Sequence, residues 1–313
     1  MVSFNDVAFI VITILVSFLY RRYLDKEEKE QQLRDLHIIN SEFLLKGKKP
    51  ILWIMVPRVY NARKWSSFYS RSSDTLNIPY MYLTIQSIIN KCGKEFTICV
   101  IDDDSFGKLL PNWTPDLDKI GDPLREKVRY LGMIQLLYKY GGLMVPPSFL
   151  CLQDLTPIWK QICDTDKPIV VQDNSYHDYS QYAPNPYFLG ARPESPVMDE
   201  FINYLSVLIT KDYTAESIFL DSLSKWLNLR VMNEKIIQIG GELVGVKNSL
   251  GDPIVIEELF ENKPLNLLKD IYGLLIPHEQ IQKRTKFNWL CYLEKDKLLK
   301  LNSDLGIYFR MLE

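Results

Sequence analysis

Three short apolar runs, separated by segments of helical character, constrain the fold of this chain most. The runs are ILWIMV (51–56), FTICVI (96–101) and LMV (143–145), and each is closed by proline or aspartate. Continuous apolar runs of this length are typical of strands that are buried on both faces. Residues 79–90 and 124–140, which lie between these runs, have apolar residues at helical spacing. This alternation predicts an α/β domain with a doubly wound, mostly parallel sheet.

Later segments continue the same pattern. PIVVQD and PYFLGA are predicted strands, whereas SPVMDEFINYLSVLIT and AESIFLDSLSKWLNL are predicted helices. In the last part of the chain, IIQIGGELVGV, DIYGLLIP and KFNWLCYLE are expected to form strands and turns that complete the domain.

The amino terminus predicts a membrane anchor. Residues 7–20 carry no charge, and Arg21 and Arg22 follow them directly. An apolar stretch of this size is long enough to cross a bilayer, and basic residues at its end favour the cytosolic side. We therefore expect an anchor at 1–22, a juxtamembrane helical stalk at 23–48 and a globular domain at 49–313 in the cytosol. The alternative is a soluble protein whose apolar terminal helix packs on its own core.

Composition narrows the possible partners. The chain has a formal net charge of -2 and a pI near 6.0, so it lacks the basic field that non-specific nucleic-acid binding needs. Its five cysteines are an odd number without C-x-x-C spacing, so the sequence predicts neither a disulfide framework nor a zinc site.

The ends of the three leading strands are where a ligand is expected. In doubly wound sheets, ligands bind beyond the carboxyl ends of the strands. In this chain those ends are followed by Pro57, by Asp102, Asp103 and Asp104, and by the Pro146-Pro147-Ser148 segment.

The order and spacing of five segments resemble glycosyltransferase families with a DxD motif, especially capsular polysaccharide synthesis proteins and their relatives in large DNA viruses. The segments are LWIMVP, NIPYMYLTIQSII, FTICVIDDDS, LLYKYGG and YFLGARPESPVMDEFINYL. The resemblance implies a GT-A-like nucleotide-diphospho-sugar transferase fold. It also implies transfer of a sugar from a nucleotide-sugar donor to a glycan acceptor.

The motif of these families is degenerate in this chain. The family pattern is an aspartate, two spacers and an arginine on the long helix, then Tyr-Gly-Gly, then a strand ending in Asp-x-Asp that holds a divalent cation. Here the two helix positions read Tyr130 and Met133, and the two metal positions read Pro146 and Ser148. The resemblance therefore implies that a conventional Mn²⁺ or Mg²⁺ site cannot form at these positions.

The scaffold part of the motif is kept. Tyr140, Gly141 and Gly142 follow the long helix as the family pattern requires, with Ser148 six residues beyond them. The sequence thus keeps the residues of the motif that shape the backbone, whereas it has replaced the residues of the motif that carry charge.

Two acidic features remain as candidates for donor binding. Glu126-x-x-Arg129 repeats the acid and base pattern one helical turn earlier, and it is either a donor contact through Arg129 or a surface ion pair. The run Asp102-Asp103-Asp104 has three interpretations: nucleotide contact, a turn or cap, or a fallback metal site in which Asp102 and Asp104 hold Mn²⁺ or Mg²⁺.

Further candidates have weaker support. Trp53 is either a platform for the nucleotide base or a core residue. Asp173 and His177 lie in a predicted acceptor loop. Four basic residues in the loop after the first strand are candidates to balance the diphosphate of a metal-free transferase. They are Arg58, Arg63, Lys64 and Arg71.

Two functions from different classes follow. The first is a membrane-anchored glycosyltransferase-like protein with weakened or lost metal-dependent catalysis. The second is a non-catalytic protein that keeps the fold and links a membrane, for example that of a virion, to a capsid or to other membrane-associated proteins.

Overall fold

The computed structural model describes residues 47, 49–56, 78–174, 182–211 and 216–312. The predicted anchor at 1–22 lies outside the described residues, and so does nearly all of the predicted stalk. Within the described residues, none of the helices combines the length and the apolar character that a membrane crossing requires.

The architecture is mixed α/β, and its main sheet has six strands in the order β2-β1-β3-β6-β5-β7. These strands are β1 (Ile51–Met55), β2 (Thr97–Ile101), β3 (Gly142–Met144), β5 (Ile169–Asn174), β6 (Tyr182–Ala191) and β7 (Ile237–Ile239). Strand β1 runs parallel to both β2 and β3, and β5 runs parallel to β7, whereas β6 is antiparallel to its neighbours β3 and β5. The sheet is therefore mostly parallel, as predicted, and is consistent with a Rossmann-like fold.

A second, antiparallel sheet pairs β4 (Phe149–Cys151) with β8 (Gly273–Leu275). The helices of the described residues are α1 (Tyr80–Cys92), α2 (Ser105–Leu109), α3 (Leu124–Tyr140), α4 (Thr156–Thr165), α5 (Pro196–Thr210), α6 (Glu216–Met232), α7 (Ile256–Leu259), α8 (His278–Lys283), α9 (Lys295–Leu298) and α10 (Asp304–Arg310). All the strands and helices that the sequence predicts between residues 51 and 229 are present at these positions.

Helices cover both faces of the sheet near β1. Leu52 and Ile54 share a buried apolar cluster with Ile88 of α1, whereas the Trp53 ring contacts Tyr140 of α3. Neighbouring side chains on a strand point to opposite faces, so α1 and α3 lie on opposite sides of the sheet. Helices therefore pack against both faces of the sheet at β1.

The carboxyl-terminal part of the chain adds a second apolar cluster. Tyr80 and Leu83 of α1 and Leu150 of β4 pack there against side chains from the last sixty residues, including Ile276 and Phe309. The carboxyl-terminal part thus packs against α1, which comes after the segment that follows β1, and against β4, which directly follows the Pro146-Pro147-Ser148 segment.

Of the three carboxyl-terminal segments expected to form strands and turns, two contain the strands β7 and β8, and the third contains a turn at 286–287 but no strand. In this third segment, KFNWLCYLE, residues Asn288–Tyr292 form a 3-10 helix. Its buried side chains, Phe287, Leu290 and Cys291, recur at helical spacing. The alternation of aromatic and aliphatic residues in this short segment is therefore not a strand pattern.

Candidate functional site

Strand order reverses at β1, because the chain places β2 on one side of it and β3 on the other. The carboxyl ends of these strands are aligned: the Val56 amide donates to the Ile101 carbonyl at 2.9 Å, and the Val145 amide donates to the Trp53 carbonyl at 3.0 Å. Ligands in open α/β sheets bind in the crevice beyond such a reversal. The candidate site is therefore built from the segments that follow β1, β2 and β3. The first of these, residues 57–77 with its four basic candidates, lies outside the described residues.

Asp102 closes the turn after β2. Its Oδ1 atom accepts hydrogen bonds from the Ser105 amide at 3.1 Å and from the Ser105 hydroxyl at 2.7 Å. An aspartate that binds the backbone a few residues later stabilises a turn and the start of a helix. The turn or cap interpretation of Asp102 is thus supported, and α2 begins at Ser105. Asp104, which directly precedes Ser105, is exposed.

Asp103 and Arg129 form a bidentate ion pair between the β2 turn and helix α3. The Arg129 Nε atom lies 2.6 Å from Asp103 Oδ1, and its Nη2 atom lies 2.7 Å from Asp103 Oδ2. The Arg129 Nη1 atom also donates to Glu126. The Arg129 side chain is only 7% exposed. Parallel, charge-assisted hydrogen bonds of this kind are among the strongest in proteins.

The two carboxylates of this network hold Arg129 in its charged form. Burial alone would lower the pKa of Arg129, but the hydrogen bonds and charges of Asp103 and Glu126 keep it above its ordinary value. The predicted Glu126–Arg129 ion pair is therefore present. It differs from a surface ion pair because the Arg129 side chain is buried and also binds Asp103. Binding of a nucleotide by Asp103 or Arg129 remains a prediction, and it would require this pair to open.

The segment at the predicted metal position is a closed turn. The Phe149 amide donates to the Pro146 carbonyl at 3.0 Å, and the Thr84 hydroxyl of α1 donates to the Pro147 carbonyl at 2.5 Å. The Ile276 amide, just after β8, donates to the Ser148 carbonyl at 3.3 Å. Ser148 is buried. The turn is therefore held by α1 on one side and by the carboxyl-terminal part on the other.

The retained Tyr-Gly-Gly segment has a structural role. The Trp53 indole donates from Nε1 to the Gly141 carbonyl at 2.9 Å, and the Tyr140 hydroxyl donates to the Leu109 carbonyl at 2.7 Å. Gly142 has a φ of 109°, and a Cβ atom there would lie 2.1 Å from the Ile51 carbonyl oxygen. Only glycine allows β3 to approach β1 this closely.

Trp53 lies entirely within the core, with 0% of its surface exposed. Its ring centroid is 5.9 Å from that of Tyr140, in a tilted arrangement. These contacts support the interpretation of Trp53 as a core residue. Stacking on a nucleotide base remains a prediction that would need the ring to leave this environment.

The donor set at the strand ends does not fit a divalent cation. Mg²⁺ and Ca²⁺ need six or more oxygen ligands, usually including several carboxylates. Pro146 and Ser148 supply no carboxylate, Asp103 is paired with Arg129, and Asp102 is bonded to Ser105. No group of three or more histidine, cysteine, aspartate or glutamate side chains suited to a metal occurs in the described part of the chain. We derive no chemical step through a metal at Asp102 and Asp104.

A second polar group lies at the carboxyl end of β5. Asp173 accepts hydrogen bonds from the Asn174 amide at 2.7 Å and from the buried Asn185 amide group at 2.8 Å. Burial, with a smaller contribution from the charge of Glu279, raises the pKa of Asp173 to about 6. Glu279 belongs to α8, where the neighbouring His278 shares a hydrogen bond of 2.7 Å with the Tyr80 hydroxyl.

Sequence reasoning found only part of this group. It singled out Asp173 together with His177, which lies outside the described residues. It assigned no role to His278 and did not consider Asn185. The sequence signal for Asn185 was a polar residue between two prolines in a segment that otherwise reads as an apolar strand. No sequence signal could have shown that Glu279 lies near Asp173, because that proximity depends on tertiary packing.

A shallow concavity elsewhere contains none of the predicted site residues. It lies along α5 and α6 and is lined by Tyr204, Ser222, Lys225, Trp226, Leu229 and Arg230. The Arg230 guanidinium carbon lies 3.8 Å from the Trp226 ring centroid, and Phe201 stacks on the same indole at 4.4 Å. Because both partners pack against Trp226, we assign this concavity no ligand.

Comparison with known proteins adds no assignment: no protein-family profile matches the chain, and no characterised protein matches it.

Proposed function

We propose that this chain is a glycosyltransferase-like protein of the GT-A type that does not carry out metal-dependent sugar transfer. In this proposal the folded domain acts as a rigid, non-catalytic body. The support comes from the segment order, from the mostly parallel sheet with its reversal at β1, and from the residues that occupy the strand ends.

One observation carries the proposal: the groups expected to bind a metal and a diphosphate are replaced or already engaged. The Pro146–Ser148 turn offers no anionic oxygen, and the guanidinium of Arg129 is bonded to two carboxylates. A departing nucleoside diphosphate needs nearby positive charge to stabilise it. The charge of Arg129 is thus already balanced within the protein, and the four basic candidates that follow β1 lie outside the described residues.

The proposal includes a membrane anchor at residues 1–22, on the basis of their apolar sequence and the arginines that follow. A tethered body of this kind has a membrane as one partner. Its other partners would be capsid proteins or other membrane-associated proteins, with the bulk of the chain on the cytosolic side or at a virion membrane.

Nucleotide-sugar assays test the catalytic part of this proposal. The full chain is incubated with UDP-, GDP- and CMP-sugars, with and without Mn²⁺, and the release of nucleotide is followed together with the melting temperature. We expect no metal-dependent release and no metal-dependent rise in melting temperature, because a ligand that binds only the folded state must stabilise it. Mn²⁺-dependent release of a nucleotide would overturn the proposal.

Membrane fractionation tests the anchor separately. A chain that lacks residues 1–22 is expected in the soluble fraction, whereas the full chain is expected in the membrane fraction. A truncated chain that still sediments with membranes contradicts the anchor without affecting the catalytic argument.

A second candidate function, sugar transfer without a metal, is favoured by Asp173. A half-buried carboxyl group with a pKa of about 6 suits the removal of a proton from an acceptor hydroxyl near neutral pH. Metal-independent nucleotide release that Asp173→Asn abolishes, in a variant that melts no lower than the natural chain, would favour this candidate over the first.

A further inference from the structure

Two cysteine side chains from different elements meet in the main core. Cys92 is the last residue of α1, and Cys151 is the last residue of β4. Their Sγ atoms are 3.8 Å apart, although the residues are 59 positions apart in the sequence. Both side chains are buried. Among the described residues, which include all five cysteines, no other two cysteine sulfur atoms are this close.

The contact is held by neighbouring backbone and side-chain hydrogen bonds. The Cys151 amide donates to the Ser87 hydroxyl of α1 at 2.8 Å, and the Ser87 hydroxyl donates to the Thr84 carbonyl at 2.6 Å. The first of these bonds fixes β4 against α1 one and a half helical turns before Cys92. A disulfide bond is about 2.05 Å long. The two sulfur atoms must therefore approach each other by less than about 2 Å, which rotation of the two side chains can supply.

We propose that Cys92 and Cys151 are a redox modification site, which peroxide converts to a disulfide that links α1 to β4. This inference goes beyond the proposed function and does not depend on it.

The chemistry balances with hydrogen peroxide as the oxidant. The Cys92 thiolate attacks one peroxide oxygen, so that an S–O bond forms, the O–O bond breaks and hydroxide leaves as water after protonation. The Cys151 sulfur then attacks the Cys92 sulfur, the S–S bond forms, and the S–O bond breaks with release of a second water. In sum, two thiols and one peroxide give one disulfide and two waters.

The structure favours Cys92 as the attacking group. The hydrogen bond with the Cys151 thiol lowers the pKa of Cys92, against the opposing effect of burial. The same hydrogen bond and burial raise the pKa of Cys151. The residues on both sides of Cys92, Lys91 and Gly93, are exposed, so local opening at the end of α1 gives a small oxidant access to the sulfur.

The disulfide would act on the candidate site. Cys151 lies three residues after Ser148, and α1 already holds the same turn through Thr84. A covalent link between the two elements closes a long loop of the chain, which restricts the unfolded state. We therefore expect the oxidised protein to melt several degrees above the reduced protein.

Peptide mapping of the full chain tests the proposal. The protein is treated with hydrogen peroxide, its remaining thiols are alkylated, and it is cleaved with trypsin without reduction. Cleavage after Lys91, Lys94, Lys139 and Lys160 releases the peptides 92–94 and 140–160. We expect these two peptides to be joined by a disulfide, two hydrogens lighter than the separate thiols, and to separate when a reductant is added.

Two variants and the exposed Cys163 serve as controls. Cys151→Ser is expected to lose the linked peptide and the rise in melting temperature, whereas Cys99→Ser is expected to keep both, because Cys99 is buried without a thiol neighbour in the described residues. The proposal is overturned if Cys92 and Cys151 of the unmodified chain remain thiols at a peroxide concentration that fully oxidises Cys163. It is also overturned if Cys92 links equally to Cys163 and Cys151. Both of these results come from the natural sequence, so a variant that fails to fold leaves the test intact.

Discussion

Arg129 binds Asp103 through two parallel hydrogen bonds of 2.6 and 2.7 Å, and this pair joins the turn after β2 to helix α3. The two residues are 26 positions apart, and both are largely buried. The pair lies at the edge of the sheet where open α/β folds bind their ligands. Its two members are therefore structural partners in the described state.

Breaking this pair should destabilise the fold. Asp103→Asn keeps the shape of the side chain but leaves the buried guanidinium with one less charged partner, so we expect a loss of about 2 to 3 kcal/mol in the free energy of unfolding. Urea denaturation measures this value. The matched control is Asp166→Asn, which removes an exposed partner of Arg192 and should leave stability nearly unchanged. Equal effects of the two substitutions would contradict a structural role for the Asp103–Arg129 pair.

The Trp53 indole should matter for stability through its buried hydrogen bond. Trp53→Phe removes the Nε1 donor to Gly141 and leaves a small void, so the expected cost is about 2 to 3 kcal/mol. Trp289→Phe is the control, because that indole makes a similar bond to Lys286 but is 39% exposed. We expect a cost of less than about 1 kcal/mol there. Similar urea midpoints for both variants would show that Trp53 is not a core residue.

Gly142 should be irreplaceable for steric reasons. Gly142→Ala places a Cβ atom 2.1 Å from the Ile51 carbonyl oxygen at a φ of 109°, so we expect a loss of at least about 3 kcal/mol or no folded protein. Gly107→Ala is the control, since a Cβ atom there meets no atom within 4 Å inside helix α2. That change should be neutral or stabilise by up to about 1 kcal/mol. The yield of folded protein and the urea midpoint distinguish the two outcomes.

The sequence allowed prediction of the strands and helices because each carries a local signal. The runs at 51–56 and 96–101 are continuous and apolar, and α3 ends at the glycine pair that the sequence places after Tyr140. The sequence pattern did not show that Asp103 pairs with Arg129, because that contact depends on how α3 packs beside the β2 turn. The sequence also could not decide whether Trp53 is a core residue or a platform for a base, because the identity of a strand residue does not determine which helix covers it.

Asp173 should make stability depend on pH. Its folded-state pKa of about 6 lies above the ordinary value of 3.8, so the folded state holds the proton more tightly than the unfolded state. This stabilisation is complete below about pH 4 and is lost as the pH rises through 6. Relative to Asp173→Asn, the natural protein should therefore lose up to about 3 kcal/mol of stability between pH 4 and pH 7. A stability difference between the two proteins that stays constant across this range, in urea denaturation at each pH, would contradict the raised pKa.

The central claim is that the strand ends of this fold do not hold a divalent cation, and calorimetric titration of Mn²⁺ into the full chain without added nucleotide tests it most directly. We expect no saturable heat of binding, because Pro146 and Ser148 offer no carboxylate and Asp102 and Asp103 are bonded within the protein. Asp102→Asn removes the main fallback ligand, and Asp118→Asn removes an exposed aspartate as a control. Saturable binding of one Mn²⁺ per chain that Asp102→Asn abolishes and Asp118→Asn preserves would contradict the account.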